Sequence, residues 1–451
     1  MNVAMIGAGR VGLVAAACLA DFGITVHCVD NQIEIIDALR SGKVPFHEPG
    51  LNELVQKNVQ AGRLSFSVNV AEAVKQSLVI FFAVGTEEEA PGMPNLHHLF
   101  NAARQVVREM TDYKVFVIKS TVPVGTAQRL ADELRAEDNV EFDIVSNPEF
   151  LREGSAIENF MRPDRVVLGG SSRHALAILK DIYRPLYLIE TPIVVTDNAT
   201  AELSKYASNA FLAIKIGFIN EMANLADCTG VDVHDVAKIV GLDKRIGPKF
   251  LHPGPGYGGS CLPKDTRALV TIGQEHGLVM DVVEGSVKTN DGVCAYLVSR
   301  LKKQMGSLNG RTVSVLGLAY KPFTDDVRES RAVDLVRLLL SEGAVVQAYD
   351  PAANKTVSQV LEHEHLQLDS DAYEAANGAD AVAILTEWNE FRNLDLLELK
   401  TRMRDRFLLD CRNVLDPEVA ASHGFIYMGR GRGPRAKTRR SDLEKEELVT
   451  T

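Results

Sequence analysis

Long apolar runs are missing from this 451-residue chain, and so is any excess of positive charge. The longest run, LVIFFAV at 78–84, has the length of a buried strand and falls far short of the ~18 residues a membrane span needs. MNVAMIGAGR offers neither a basic stretch nor a cleavage site, so nothing in it directs secretion. Lys and Arg number 49 against 60 Asp and Glu, and the net charge of −11 argues against an extended nucleic-acid or anionic-membrane surface. The six cysteines (18, 28, 228, 261, 294 and 411) lack paired spacing. They give no zinc signature and predict no metal, and they suit reduced thiols in a cytoplasmic location. No repeat period is visible. What remains is ordinary globular usage, 46% hydrophobic and 24% charged, which excludes disorder, collagen and coiled coil.

Along the chain, short β-branched runs alternate with amphipathic segments: VAMI (3–6), ITVHCV (24–29), LVIFFAV (78–84), KVFVIKS (114–120), DIVS (143–146) and RVVLGG (165–170). This alternation predicts a parallel sheet with helices on both faces. From Thr200 to Gly230 the periodicity predicts one long helix, with Leu203, Phe211, Ile214, Phe218, Met222 and Leu225 at three- and four-residue steps. A turn-rich stretch at 307–312 marks a boundary, after which strand–helix alternation resumes with VSVLG (313–317), a helix over 330–342, VVQAYD (345–350), AVAIL (381–385) and FLLD (407–410). The fold class is therefore α/β, with two Rossmann-like doubly wound domains joined by a central helical domain. The expected boundaries are 1–196, 197–306 and 307–428, followed by a tail at 429–451 whose basic-then-acidic composition predicts disorder.

Gly7-Ala8-Gly9-Arg10-Val11-Gly12 fits the G-x-G-x-x-G pattern, after a strand and at the start of a helix over 10–22. A second strand ends in Asp30, eighteen residues after Gly12. That context makes the motif a strong dinucleotide signal. Gly7 permits the tight turn, Gly9 lets a pyrophosphate approach and Gly12 lets helix pack on strand; the helix start, Val11 included, supplies amide donors. Asp30 is placed to accept from a ribose 2′-OH, and no arginine follows it, so the cofactor expected is NAD rather than NADP.

HPGPGYGGSCLPKDTRAL (252–269) brings glycines and prolines up to Gly259-Ser260, where the backbone must approach something closely. Pro263 suits the first turn of a helix, which puts Cys261 at its N-terminus beside Lys264, both features that favour thiolate. Asp265 lies four residues on. A thiol beside an NAD site makes chemical sense. An aldehyde can lose hydride only from a tetrahedral adduct, and a thiolate supplies one, giving first a thiohemiacetal and then a thioester that water releases as acid. On the long helix Lys205 and Asn209 share a face. The lysine is suited to proton transfer or oxyanion stabilisation and the amide to holding a hydroxyl or water. Lys119-Ser120-Thr121 and Asn147-Pro148-Glu149-Phe150-Leu151-Arg152-Glu153-Gly154 both follow strands, at the edge where sheet ligands bind.

GAGRVG, KSTVPVGT, NPEFLREGSAI, RPDRVVLG, ELSKYASNAFLAIKIGFINE, GGSCLPKD and LAYKPFTDDVRES together resemble the UDP-glucose/GDP-mannose dehydrogenase family over roughly residues 1–428. The resemblance implies oxidation of a nucleotide sugar's C6 alcohol to a carboxylate by two NAD. It implies Cys261 as nucleophile, Lys205 and Asp265 in proton handling and oxyanion stabilisation, Asn209 as a positioning group, Glu149 in thioester hydrolysis and Thr121 holding a water. Thr86, Thr121, Glu153, Lys264 and Arg328 would lie near NAD. Glu149, Phe150, Leu151, Arg152, Glu153, Lys205, Asn209, Phe250, Leu251, His252, Pro253, Gly254, Tyr257, Gly258, Lys321 and Arg412 would line the UDP-sugar site. Arg245 would reach the partner subunit's site in a homodimer built on the long helix. Two positions depart from the pattern: Ile35, where a basic residue is common, and Glu87, where the family usually reads VGTP. ILTEWNEFRNLD (384–395) and Asp410-Cys411-Arg412-Asn413 resemble the UDP-glucose branch, with GDP-mannose as the nearest alternative substrate. The GGSC loop argues against a two-electron hydroxyacid dehydrogenase, and the complete catalytic set against an inactive NAD-binding regulator.

Overall fold

The computed structural model describes residues 1–90, 92–137 and 141–432. It divides into two compact units, residues 1–209 with 267–279, and residues 210–266 with those from 280 onward. The first unit carries β1 (Asn2–Ile6), β2 (Thr25–Val29), β3 (Leu64–Ser67), β4 (Val79–Phe82), β5 (Glu88–Ala90), β6 (Met93–Pro94), β7 (Lys114–Ile118), β8 (Phe142–Ser146), β9 (Val166–Gly169) and β10 (Ile193–Thr196). All but the small β5–β6 hairpin form one sheet, in the order β10-β9-β8-β7-β4-β1-β2-β3. From β3 to β8 this is the doubly wound order 3-2-1-4-5-6.

β4 and β7 are buried along their whole length, because their unbroken apolar runs send alternate residues into two separate cores. Met5, Phe81, Val115 and Val117 feed one face; Ile6, Ile80, Phe116 and Ile118 feed the other. β3, β10 and the hairpin are not among the runs read from sequence. β10 keeps its two central residues exposed, so its pattern is not that of a core strand. β9 meets β8 in the antiparallel sense at Ser146 and Gly169, a departure from the expected all-parallel sheet. The hairpin is braced: Glu88 takes a forked hydrogen bond from the Arg267 guanidinium, with Nη2 to Oε2 at 2.6 Å and Nε to Oε1 at 3.1 Å.

The second unit carries β11 (Thr312–Leu316), β12 (Val345–Tyr349), β13 (Leu366–Leu368), β14 (Ala381–Ile384), β15 (Phe407–Asp410) and β16 (Ile426–Gly429). They pair in the order β13-β12-β11-β14-β15-β16, again 3-2-1-4-5-6, and every pair is parallel.

Among the helices, α1 (Arg10–Asp21) follows β1, α2 (Asn198–Thr229) is the long helix, α3 (Leu262–Glu275) follows the cysteine loop, α4 (Asp281–Met305) packs on α5 (Arg331–Ser341). The long helix is present as α2, and large apolar residues on it face outward. Leu203, Phe211, Phe218 and Leu225 are exposed, Phe211 at 62%, while Ala201, Tyr206, Ala210, Ala213, Ile219 and Ala223 are buried. Small residues let the helix pack closely, so the large apolar stripe faces out.

The expected tail is also corrected at its start. β16 extends through Gly429, and Arg430 is fully buried. Arg432 bridges to Asp232 and reaches His234 Nδ1 at 2.9 Å. The rest of the tail, from 433, lies outside the described residues. No described helix is long and apolar enough to cross a membrane.

Candidate active site

The glycine turn is built by exclusion. Gly7 has φ +106, and a Cβ on Gly12 would stand inside the Gly7 carbonyl oxygen, so neither position accepts a side chain. Around Gly9, by contrast, nothing lies within 4 Å of a Cβ position. Gly9 caps α1 without a side-chain bond, so the first amides of the helix, at Arg10, Val11 and Gly12, lack intrahelical acceptors. Asp30 lies half-buried beside the turn, its Oδ2 accepting from Ala8 N at 2.8 Å and its Oδ1 from Gln32 N at 3.0 Å. An uncrowded glycine at a helix start, with a carboxylate alongside, fits a dinucleotide. Thr86 Oγ1 donates to the Thr121 carbonyl at 3.0 Å, which joins two of the expected cofactor residues, and Arg10 lies 3.7 Å from Glu153.

At the same sheet edge, Lys205 on α2 and Glu149 after β8 form a buried ion pair at 2.9 Å. Removing either member of such a pair strands the other, at about 3–5 kcal/mol. Burial alone would push the Glu149 carboxyl up. Lys205, the Leu151 amide and Lys119 outweigh burial and hold it below the usual carboxylate range. Lys119, named in its motif but given no role by the sequence, is buried beside them. Burial, and secondarily Lys205, bring its ammonium down to about 8 against the opposing pull of Glu149. It donates to Asn147 Oδ1 at 3.2 Å, which also accepts from Tyr183. Phe150 lies under Arg165 and faces Lys205 at 5.3 Å. Asn209 is buried one turn beyond Lys205. Glu202, one turn before it, accepts from Gly125 N and Ala127 N and so ties α2 to the segment after Thr121. Nothing in the local sequence marks Glu202 as such a tie.

In the second unit Cys261 is exposed immediately before α3. Its carbonyl accepts from Asp265 N at 2.8 Å, and the fully buried Asp265 carboxylate receives Lys264 Nζ at 2.8 Å. Cys18, Cys28, Cys294 and Cys411 are buried instead. Burial pushes Cys18, Cys294 and Cys411 up to about 12. The loop before Cys261 is packed without clearance. A Cβ on Gly258 would collide with the Glu329 carbonyl and one on Gly259 would stand 2.7 Å from the Tyr320 ring, while Gly259 N donates to the Arg328 carbonyl at 3.0 Å. Phe250 holds φ +64, a left-handed conformation that costs about 1–3 kcal/mol and persists only where its surroundings enforce it. Leu251, Pro253, Gly254, Tyr257 and Gly258 are buried and His252 is exposed. Tyr257 is fixed by Asn290, whose Oδ1 accepts from its amide at 2.7 Å and whose Nδ2 donates to its carbonyl at 3.0 Å. Arg412 donates to the Leu385 carbonyl at 2.9 Å, and Lys321 stands over the Tyr320 ring. Arg328 forks onto Asp326, and Arg245 is exposed and paired with Asp243. Leu151 and Arg152 lie in the loop with Glu149, Arg152 bonded to Asn159 at 3.0 Å.

The predicted residues thus fall into two groups, each assembled within its own unit: Glu149, Lys205, Asn209, Thr121 and the cofactor turn in the first, Cys261, Asp265, Lys264 and the 250–258 loop in the second. Among the described residues, no group of three or more His, Cys, Asp or Glu could hold a metal ion.

Comparison with known proteins places the chain in one family. Residues 1–187 match the NAD binding domain, 199–292 the central domain and 314–417 the UDP binding domain of the UDP-glucose/GDP-mannose dehydrogenase family. The chain is 48% identical to a UDP-glucose 6-dehydrogenase of Rhizobium meliloti, over 96% of this chain and all of that protein. It is 42% identical to the UDP-glucose 6-dehydrogenase TuaD of Bacillus subtilis, over 99% of this chain and 98% of that one. The solved structure of a UDP-glucose dehydrogenase from the archaeon Pyrobaculum islandicum superposes with a TM-score of 0.89 at 40% identity, covering 95% of this chain and 97% of that one. Its cofactor is NAD, and the chain belongs to the UDP-glucose/GDP-mannose dehydrogenase family.

Proposed function

We propose that the protein oxidises the C6 alcohol of UDP-glucose to a carboxylate, giving UDP-glucuronate through a covalent adduct on Cys261. The observation that carries this reading is the exposed thiol at the start of α3, backed by a fully buried Asp265 paired with the partly buried Lys264, in a chain with a dinucleotide turn. The names of the relatives favour UDP-glucose as the substrate. NAD, held at Gly7 to Gly12 and Asp30, supplies the hydride acceptor for both oxidations.

In the first oxidation the alcohol carbon gives up hydride and its hydroxyl a proton, leaving an aldehyde. The Cys261 thiolate then adds to the aldehyde carbon, forming a C–S bond and an oxyanion. The Lys205 ammonium, held 2.9 Å from Glu149, is suited to stabilise that oxyanion, and Asn209 to orient it. Loss of the second hydride from this tetrahedral carbon gives a thioester. Water held near Thr121 and activated by Glu149 attacks the thioester carbon, the C–S bond breaks and the thiolate is regenerated. Asp265 and Lys264 hold the turn that presents the sulfur.

The exposed stripe on α2 supports a homodimer, since an apolar face of that kind calls for cover. In such a dimer Arg245 is the group assigned to the partner's sugar site. The free cysteines, with no disulfide among them, support a reducing, cytoplasmic location.

A panel of UDP-glucose, GDP-mannose and UDP-N-acetylmannosamine, followed by NADH release, tests the substrate. UDP-glucose alone should yield two NADH per sugar and free acid. Cys261→Ala should yield at most one NADH per active site. Near wild-type formation of UDP-glucuronate by that variant would sink the covalent route.

A further inference from the structure

Arg430 lies one residue past β16, in a GRGRG stretch whose composition reads as a tail, yet its side chain is fully buried. A guanidinium taken out of water must be neutralised and hydrogen-bonded on several sides, or it destabilises the fold. Its backbone is fixed first. Arg430 N donates to Asn413 Oδ1 at 2.8 Å, and its carbonyl accepts from Asn413 Nδ2 at 2.7 Å. The guanidinium then forks across two elements. Nη1 donates to Asn224 Oδ1 at 2.6 Å and Nη2 to the Asn220 carbonyl at 3.3 Å, both on α2. Nε donates to the Gly254 carbonyl at 3.3 Å. Asp227 Oδ2, at 3.9 Å, supplies negative charge while also pairing with Arg300, and the Tyr296 ring stacks at 5.1 Å.

Gly254 is the point of this arrangement. Its own N–H donates to Asn220 Oδ1 at 2.9 Å, so both polar groups of one residue are held, one by α2 and one by Arg430. A Cβ there would stand 2.8 Å from Arg412 Nη1, so a side chain would displace that guanidinium. We infer that Arg430 is a positioning residue for nucleotide-sugar binding, fixing the Gly254 peptide and with it the 250–258 loop beside Arg412. This rests on the proposed reading in which that loop and Arg412 contact the UDP-sugar. Lysine offers a point charge in place of the fork and cannot satisfy three acceptors spread over two elements.

The test titrates full-length protein with UDP and, separately, with NAD, by calorimetry, and measures KM and kcat for UDP-glucose. Arg430→Lys should weaken UDP binding and raise the KM for UDP-glucose about tenfold, with kcat within about twofold and NAD affinity unchanged. Asn224→Ala, which keeps the charge but removes one acceptor, should act in the same direction by about threefold. It decides the matter on the same readouts if Arg430→Lys does not fold. Arg432→Ala, two residues beyond Arg430 but bonded to Asp232 and His234, should leave UDP affinity at the wild-type value. Wild-type UDP affinity in Arg430→Lys, or an equal loss of UDP and NAD affinity, overturns the positioning role. A wild-type protein that binds no UDP instead sinks the substrate reading on which the role depends.

Discussion

The two sheets share a strand order, and each carries a left-handed glycine after its first strand and an aspartate after its second. Gly7 has φ +106 and donates to the Val29 carbonyl at 2.8 Å; Gly317 has φ +94 and donates to the Tyr349 carbonyl at 2.8 Å. They differ in what is left over. Asp30 takes two backbone amides and remains half-buried. Asp350 is buried and takes five donors: the amides of Leu318, Ala319, Ala352 and Ala353, and Trp388 Nε1. Such a carboxylate is saturated and has nothing to offer a ribose. Asp410 of β15 is likewise buried, and its carboxyl is pushed up by that burial against the pull of the Leu415 amide and Tyr427. The same scaffold therefore either reads a dinucleotide or locks its own loops, and unspent hydrogen-bonding capacity at the strand ends decides which.

The sharpest way to break this comparison is Asp350→Ala. It strands five buried donors and should cost about 3–5 kcal/mol of stability, with NAD affinity of the folded protein unchanged in calorimetry. If NAD affinity fell while the thermal midpoint held, the two aspartates would not differ as described.

Next in size is Gly12→Val, which drives a side chain into the Gly7 carbonyl. NAD binding should weaken about 100-fold, or about 2.7 kcal/mol. Gly317→Ala should instead lower stability while sparing NAD.

Asp30→Ala should weaken NAD about tenfold, narrow the preference for NAD over NADP in kcat/KM, and shift stability by less than about 0.5 kcal/mol. A larger loss of stability than of affinity would make Asp30 a structural residue like Asp350.

The smallest effect concerns charge at the first sheet's edge. Lys119 titrates near 8 when folded against an ordinary value of 10.5. Between those values the unfolded chain holds a proton the folded one has released, so stability rises with pH. From pH 7 to 9, wild type should gain about 1 kcal/mol relative to Lys119→Met in denaturant melts. A constant difference across that range contradicts the assigned titration.

Much of this was legible in residue order. β1, β2, β4, β7, β8 and β9 follow apolar runs because a strand covered on both faces has no polar alternation to blur it. β3, β10, β13 and β16 are short and partly exposed, and carry too little pattern. The glycine turn, Asp30, the Lys205–Asn209 face and the cysteine loop were legible because each is local. The Lys205–Glu149 pair, separated by 56 positions, and the Arg430–Gly254 bond, separated by 176, left no local trace. Arg430 was misleading in a further way: composition marks an arginine in a glycine- and arginine-rich stretch as solvated, and only distant asparagines make it a core residue.

The hairpin brace has an evolutionary corollary. Glu88 follows Glu87, where this chain departs from the proline its family usually places after Val84-Gly85-Thr86, and the Glu88 carboxylate is held by Arg267 and the Gly92 amide. Loss of either partner leaves the other's charge only partly compensated, so neither is easily substituted alone. Positions 88 and 267 are therefore expected to covary across relatives, with glutamate and arginine gained and lost together.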